Sequence, residues 1–150
     1  MASAEGGVGG ILTEVKGDLF SSPATAALAH CISADVRMGA GIAKIFKAKF
    51  GGVSELQRQG ARPGGLASLQ RSGRFVYYLV TKEKYYQKPT YETLRQSLQS
   101  MRAHCEANGV KHVCMPKIGC GLDGLEWARV AKVIRDVFSG SPIQLTVYVL

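Results

Sequence analysis

Short apolar runs and alternating apolar positions predict about six β-strands along the chain. The clearest is the run from Phe75 to Val80, whose aromatic and β-branched side chains favour a strand. Ser72-Gly73 just before it is a plausible hairpin turn. The predicted strands are Ile11–Val15, Ala26–Ile32, Leu66–Gln70, Arg74–Thr81, Val110–Met115 and Ile143–Val149.

Helical periodicity predicts three helices between these strands. The first covers residues 42–50 and ends at Gly51. The second begins at Thr90, a favourable N-cap, and ends at Gly109. The third extends from Trp127 to Phe138. Strands interleaved with helices predict a three-layer α/β/α domain with a mixed central sheet of about six strands.

The chain length of 150 residues is typical of one domain. We expect residues 11–150 to form it and residues 1–10 to be a flexible leader. The leader lacks the basic patch and apolar stretch of a secretory signal. No apolar run approaches the ~20 residues that cross a bilayer, which argues against a membrane protein.

The cysteine pattern favours buried structural thiols in a reducing compartment. It has no paired C-x-x-C spacing, and its spacing from the histidines matches no zinc pattern. We therefore expect neither a metal nor a cofactor. The cysteines concerned are Cys31, Cys105, Cys114 and Cys120.

Charge and glycine content add candidate chemistry to this fold. The net charge is +8, which points to an anionic partner. Glycine makes up 18 of the 150 residues, more than the usual ~7%. Two glycine-rich segments, Arg37–Ala43 and Pro116–Asp123, each follow a predicted strand and precede a predicted helix. Such loops favour phosphate, so two of them suggest a ligand with two phosphates. A third segment, Lys16–Phe20, is on its own best interpreted as an ordinary turn capped by Asp18.

Several segments together resemble the macrodomain family. The chain is most similar to the subfamily of terminal ADP-ribose protein glycohydrolases, which are also O-acetyl-ADP-ribose deacetylases, and the resemblance runs from about Ile11 to Leu150. It implies a macrodomain fold and a hydrolase that removes ADP-ribose from modified glutamate or aspartate side chains and deacetylates O-acetyl-ADP-ribose. The segments are Val15–Phe20, His30–Ser33, Arg37–Ala43, Thr81-Lys82, Lys88–Tyr91 and Ile118–Asp123.

The resemblance also implies which residues contact the ligand. Asp18 would accept a hydrogen bond from the adenine amine beside Leu19, Ser33 would face the ligand, and Tyr148 and Leu150 would line the adenosine side. The two glycine-rich segments would hold the diphosphate and distal ribose. Their residues are Met38, Gly39, Ala40, Gly41 and Ile42, together with Lys117, Ile118, Gly119, Cys120, Gly121 and Leu122.

One segment departs from the wider family. Many macrodomains carry an Asn-Ala-Ala-Asn-like segment where this chain has His30–Ser33, so an asparagine-dependent mechanism is not expected. The similar subfamily instead uses a lysine and an aspartate that match Lys82 and Asp123. The implied mechanism has Asp123 assist ring opening while Lys82 attacks the anomeric carbon and expels the carboxylate. The residues alone suggest less: a solvated strand cap and a turn aspartate.

The charge state of Lys82 stays open at this point. Burial favours a neutral lysine, which is the nucleophilic form, whereas a nearby carboxylate favours the charged form.

Two alternative functions share these features. A non-catalytic reader of ADP-ribose or poly-ADP-ribose would need the same loops and Asp18. Weak binding of nucleic acid is the second alternative, because seven basic residues face one acid, Glu55, between positions 44 and 74. They are Lys44, Lys47, Lys49, Arg58, Arg62, Arg71 and Arg74.

Partners and location follow from the resemblance. We expect ADP-ribose, O-acetyl-ADP-ribose and mono- and poly-ADP-ribosylated proteins as partners, and no membrane. We expect a monomer inside the cell, in the nucleus.

Overall fold

The computed structural model describes residues 11–150, and the predicted leader, residues 1–10, lies outside them. Six strands in this part of the chain form one mixed sheet, in the order β1-β6-β5-β2-β4-β3. All neighbouring strands are parallel except β3 and β4, which form an antiparallel hairpin. The strands are β1 (Ile11–Lys16), β2 (Ala27–Ser33), β3 (Gly65–Arg71), β4 (Arg74–Lys82), β5 (His112–Met115) and β6 (Gln144–Val149).

Helices cover both faces of the sheet, which confirms the predicted three-layer arrangement. On one face, α1 contacts β2 and α2 contacts β3, and on the other face α3 contacts β4 and α4 contacts β1. A short 3₁₀ turn, Leu19–Ser21, follows β1. The helices are α1 (Gly41–Phe50), α2 (Val53–Arg58), α3 (Tyr91–Asn108) and α4 (Trp127–Val137). None of the helices described is long and apolar enough to cross a membrane.

The predicted elements are confirmed with small shifts at their ends. Helix α2 was not predicted, because six residues are too few to display helical periodicity. The predicted strand from Val110 begins two residues later, because the N–H of Val110 donates to the carbonyl of Cys105 and so completes the end of α3. The predicted N-cap at Thr90 is confirmed, since its hydroxyl accepts from the N–H of Thr93.

The two faces of the sheet bury different side chains. The α3/α4 face is largely aliphatic and includes the stripe of α3 that ends at Cys105. The α1/α2 face holds a cluster of rings in which His30 stacks on Phe46 and Tyr78 lies edge-on to both. Cys105 and Cys114 are fully buried, and burial raises the pKa of Cys105 to about 11. Within residues 11–150 the four thiols are free, and no group of His, Cys, Asp and Glu could hold a metal.

Because five strands run parallel, their carboxyl ends meet at one edge of the sheet. In α/β sheets this edge is where ligands bind. The segments that follow β1, β2, β4 and β5 therefore determine the candidate site.

Candidate functional site

A cavity of about 500 Å³ opens at this edge, between the segments that follow β2, β4 and β5. It brings together most of the residues that the sequence assigned to the diphosphate and to catalysis. The predicted residues that line it are Ser33, Met38, Gly39, Ala40, Gly41, Ile42, Lys82, Lys117, Ile118, Gly119, Gly121, Leu122 and Asp123.

The first wall of this cavity is the start of α1. The N-terminal N–H groups of a helix have no acceptor within it, and Ala40, at the N-cap, supplies no side-chain acceptor either. Gly41 has φ of +59°, a conformation that glycine adopts without strain. Exposed amides at the positive end of a helix form a site suited to an anion.

Asp35 holds this wall in shape, although the sequence reasoning did not select it. Its Oδ1 accepts from the hydroxyl of Ser33 and the N–H of Arg37, and its Oδ2 accepts from the N–H of Tyr85 at 3.1 Å. Burial acts to raise the pKa of Asp35, but these hydrogen bonds outweigh burial and lower it. Asp35 thus joins the segment after β2 to the segment after β4.

The second wall is a series of turns and not a helix start. The N–H of Leu125 donates to Gly119 O and the N–H of Gly124 to Gly121 O, so α4 begins only at Trp127, which does not line the cavity. The expectation that both loops lead directly into a helix at the ligand therefore holds for the first loop alone. The thiol of Cys120 donates to Ile118 O, and Cys120 is absent from the cavity lining.

Lys82 and Asp123 meet at the inner side of the cavity. The Lys82 ammonium donates to Asp123 Oδ1 at 2.6 Å, and the two side chains are only 13% and 17% exposed. A bulge positions the lysine: Ile32 pairs with Val80, but Ser33 pairs with Lys82, so Thr81 is the extra residue. This half-buried pair is neither a solvated strand cap nor a simple turn.

Arg37 and Tyr85 form the outer rim of the same cavity. The guanidinium of Arg37 lies 4.3 Å from the centre of the Tyr85 ring, and both residues line the cavity. Sequence reasoning quoted Arg37 in a motif without giving it a role, and it missed Tyr85. The pair of adjacent tyrosines beside Lys82 was the available signal.

A second cavity of about 400 Å³ lies at the ends of β1 and β6. It brings together Asp18, Leu19, Tyr148 and Leu150, the residues assigned to the adenosine side. It shares Ile42 and Pro116 with the first cavity, so the two adjoin. Asp18 also caps the 3₁₀ turn, since its Oδ1 accepts from the N–H of Phe20 at 2.9 Å, which leaves Oδ2 for a ligand.

Comparison with known protein families identifies the family of the chain that forms these cavities. Residues 29–134, which include the β2, α1, β4 and β5 segments of the site, match the model of the Macro domain. The chain belongs to the Macro domain family. It is 55% identical over 142 residues to the protein named ADP-ribose glycohydrolase OARD1 of Homo sapiens, covering 95% of this chain and 93% of that one. The protein of the same name from Bos taurus is 55% identical, with the same coverage.

Solved macrodomains share the fold. The macrodomain of Thermus aquaticus DarG has a TM-score of 0.83 and 22% identity, covering 95% of this chain and 100% of that one. Thermosipho africanus DarTG, in a structure in complex with ADP-ribose, has a TM-score of 0.79 and 20% identity, covering 91% of this chain and 41% of that one. The predicted fold class and family are both confirmed.

His30 and Cys31 stand in the segment where many macrodomains carry asparagines, and neither is suited to exchange protons with a substrate. His30 is fully buried and stacks on Phe46 with ring centres 3.7 Å apart. Burial lowers the pKa of His30 to about 3, so its imidazole is neutral at physiological pH. Burial raises the pKa of Cys31 well above its ordinary value, which keeps the thiol protonated.

The basic stretch of this macrodomain is only partly a free surface. Arg74 donates to the carbonyls of Ala26 and Pro23, and Arg71 donates to Phe50 O and pairs with Glu55. Lys49 lines the second cavity and lies 5.0 Å from the centre of the Phe20 ring. Part of the charge thus stabilises the fold or borders the site.

Proposed function

We propose that this macrodomain is a hydrolase that releases ADP-ribose from modified glutamate and aspartate side chains of proteins, and that it also deacetylates O-acetyl-ADP-ribose. The observation that carries the proposal is the half-buried ion pair of Lys82 and Asp123, with 2.6 Å between Nζ and Oδ1, beside an anion-binding wall. A module that only reads ADP-ribose has no need of such a pair.

Two adjoining cavities support the choice of ADP-ribose as the bound group. The N-terminal amides of α1 and the turns from Lys117 to Leu122 suit two phosphates. The second cavity offers apolar contacts and the free Oδ2 of Asp18 for an adenine amine. In this placement the distal ribose lies in the first cavity, next to Lys82.

The Lys82–Asp123 pair supports a covalent mechanism. Asp123 takes a proton from the Lys82 ammonium over the short hydrogen bond, and the neutral amine attacks the anomeric carbon. The new C–N bond forms as the C–O bond to the acyl group breaks, and the carboxylate leaves with the electron pair. Asp123 then moves a proton from the nitrogen to the ring oxygen, so that the ribose ring opens and a C=N iminium forms at the anomeric carbon. Water adds to this carbon, and the C–N bond breaks to restore the Lys82 ammonium. The proton that Asp123 first took from Lys82 leaves to solvent, and the ribose ring closes again. The products are ADP-ribose and the unmodified carboxylate.

Deacetylation uses the same pair on a smaller leaving group. When the acetyl group is on the anomeric oxygen of the distal ribose, the same C–O bond breaks and acetate leaves with the electron pair in place of the protein carboxylate. The low exposure of Lys82 and Asp123 limits competition from bulk water at this point.

The deciding experiment is Lys82→Ala, assayed on a protein ADP-ribosylated at glutamate. We expect turnover to fall more than about 1,000-fold, as for loss of a nucleophile, while the Kd for ADP-ribose changes less than about threefold. Lys111→Ala, at the opposite edge of the sheet, is the matched control and retains activity. Turnover that persists in Lys82→Ala contradicts the nucleophile.

Borohydride trapping gives a second measurement. The wild-type protein incubated with substrate and borohydride should retain a covalent ADP-ribose mass, and Lys82→Ala should not. A wild-type protein that binds ADP-ribose but neither turns over substrate nor is trapped is a reader.

The nuclear location, the monomeric state and the protein substrates remain predictions from the resemblance. Imaging of the tagged protein and its mass in solution test the first two.

A further inference from the structure

A rigid turn after β4 presents two tyrosines beside the first cavity. The N–H of Lys84 donates to Gln87 Oε1 at 2.8 Å, and the N–H of Gln87 donates back to Lys84 O at 3.0 Å. The rings of Tyr85 and Tyr86 lie between these residues, 5.4 Å apart and at 88° to each other. Because the turn is already fixed, contact with a partner costs little conformational entropy.

Tyr86 is not accounted for by the nucleotide. Five large apolar side chains are exposed in residues 11–150, and four of them, Ile45, Tyr85, Leu122 and Leu150, line one of the two cavities. Tyr86 is 72% exposed and lines neither cavity. An exposed aromatic ring on a fixed turn is typical of an interface.

The turn is attached to the reaction end of the cavity. Tyr85 N–H donates to Asp35, and its ring lies under Arg37 in the cavity wall. Tyr86 follows Tyr85 in the chain and lies beside its ring, so it extends this wall beyond the cavity lining. In the proposed placement of the substrate, the leaving group departs from the cavity that Lys82 and Tyr85 both line.

The surroundings of Tyr86 are mainly cationic. Arg37 lies over the Tyr85 ring, and the turn and its flanks carry the exposed Lys84 and Lys88 against one exposed acid, Glu83. The Lys88 ammonium extends towards the catalytic loop, because a Cβ placed on Gly124 would lie 3.2 Å from its Nζ. Asp35 lies within the wall but already accepts three hydrogen bonds.

We propose that the Tyr86 rim, defined as Arg37, Lys84, Tyr85, Tyr86 and Lys88, binds the polypeptide on either side of the modified carboxylate and favours acidic segments. This inference rests on the proposed function and names the partner of the same site. The perpendicular rings leave no parallel slot for a nucleobase, and the cations complement acidic side chains. The rim therefore fits a peptide better than a further unit of the ADP-ribose polymer.

The test compares substrates that share the ribose but differ in what leaves it. The substrates are O-acetyl-ADP-ribose, a peptide mono-ADP-ribosylated at one glutamate with flanking glutamates, and the same peptide with flanking glutamines. The variants are Tyr86→Ala and Lys84→Glu, with Lys111→Glu as a control of equal charge change at the opposite edge of the sheet.

We expect Tyr86→Ala and Lys84→Glu to raise KM for the acidic peptide about 5- to 10-fold, as for typical interface residues, with kcat/KM on O-acetyl-ADP-ribose unchanged. Lys84→Glu should also reduce the preference for the acidic over the neutral peptide. Equal losses on ester and peptide, or no loss on the peptide, overturn the proposal. A loss confined to poly-ADP-ribosylated substrate assigns the rim to the polymer instead and equally overturns it.

Binding separates this proposal from the proposed function. If the wild-type protein hydrolyses none of the substrates, the proposed function fails, but the Kd of the acidic ADP-ribosylated peptide can still be compared with that of free ADP-ribose. Tighter binding of the peptide that is lost in Tyr86→Ala supports the rim, and equal affinities refute it.

Discussion

The two adjoining cavities differ in the kind of atoms that line them. At the reaction end, the charged pair of Lys82 and Asp123 is at most 17% exposed and is held from two separate chain segments. At the adenosine end, the one side-chain carboxylate is the exposed Asp18. Apart from Lys49, its neighbours are mainly apolar, such as Leu150, which is 99% exposed. Under the proposed function, the reaction takes place where water is restricted, and adenosine is recognised where water has access.

This difference implies that affinity and turnover can be changed separately. Charges act more strongly where water is excluded, so a change in the Lys82–Asp123 pair has a large effect on a barrier. A hydrogen bond at an exposed carboxylate competes with water and contributes modestly to binding.

After Lys82→Ala, the largest expected effect comes from Asp123→Asn. An amide cannot take the proton of the Lys82 ammonium, so kcat should fall about 100- to 1,000-fold while the Kd for ADP-ribose stays within about threefold. Steady-state kinetics and calorimetry measure the two quantities. Asp136→Asn, an exposed carboxylate on α4, is the control for charge. A loss of affinity for ADP-ribose as large as the loss of kcat would mean that affinity and turnover cannot be changed separately at the two ends of the site.

A smaller effect, on affinity and not on kcat, is expected from Asp18→Asn. The amide oxygen can still cap the 3₁₀ turn, but its NH₂ replaces the free Oδ2 and repels an adenine amine. The Kd for ADP-ribose should rise about 3- to 10-fold with kcat at saturation unchanged. Inosine diphosphate ribose carries a carbonyl oxygen in place of the amine, so it should bind the Asp18→Asn variant more tightly than the unchanged protein. A reduced kcat would contradict the separation.

The smallest effect concerns stability and the wall that Asp35 holds. The folded-state pKa of Asp35 lies below its ordinary value of 3.8, so its ionised form stabilises the fold at higher pH, and this stabilisation disappears as the pH falls through the folded value. Asp35→Asn should therefore lower the free energy of unfolding by about 1 kcal/mol at pH 7, and the difference should shrink towards pH 3. Urea titrations from pH 7 to 3 measure it.

The same variant also tests the two ends. Asp35 contacts only the reaction end, so Asp35→Asn should lower kcat a few-fold. It should leave unchanged the rise in Kd for ADP-ribose that Asp18→Asn causes. If the difference in the free energy of unfolding does not change with pH, the ionised Asp35 carboxylate does not stabilise the wall.

The elements of the fold could be predicted because each depends on nearby residues. Alternation gave β6, and the long apolar run gave β4. The bulge at Thr81 could not be predicted, because it is a property of how β4 pairs with β2 and no local pattern encodes it.

The site shows the same division. The glycine-rich segments are recognisable as local motifs, whereas the roles of Asp18, Lys82 and Asp123 were predicted only from the resemblance to macrodomains. The link from Asp35 to Tyr85 joins residues 50 positions apart, and Lys49 reaches the second cavity only because α1 lies between the two cavities. Tyr86 could be noticed in the sequence, but its exposure on a fixed turn could not.

The uncapped start of α1 has a consequence for evolution. An anion held by main-chain amides needs no particular side chain, so drift at Ala40 and Ile42 need not end binding, whereas Gly41, at φ of +59°, has few tolerated replacements. The side chains around this backbone can therefore change while the fold is kept. The TM-score of 0.83 at 22% identity to the Thermus aquaticus macrodomain is in keeping with such divergence.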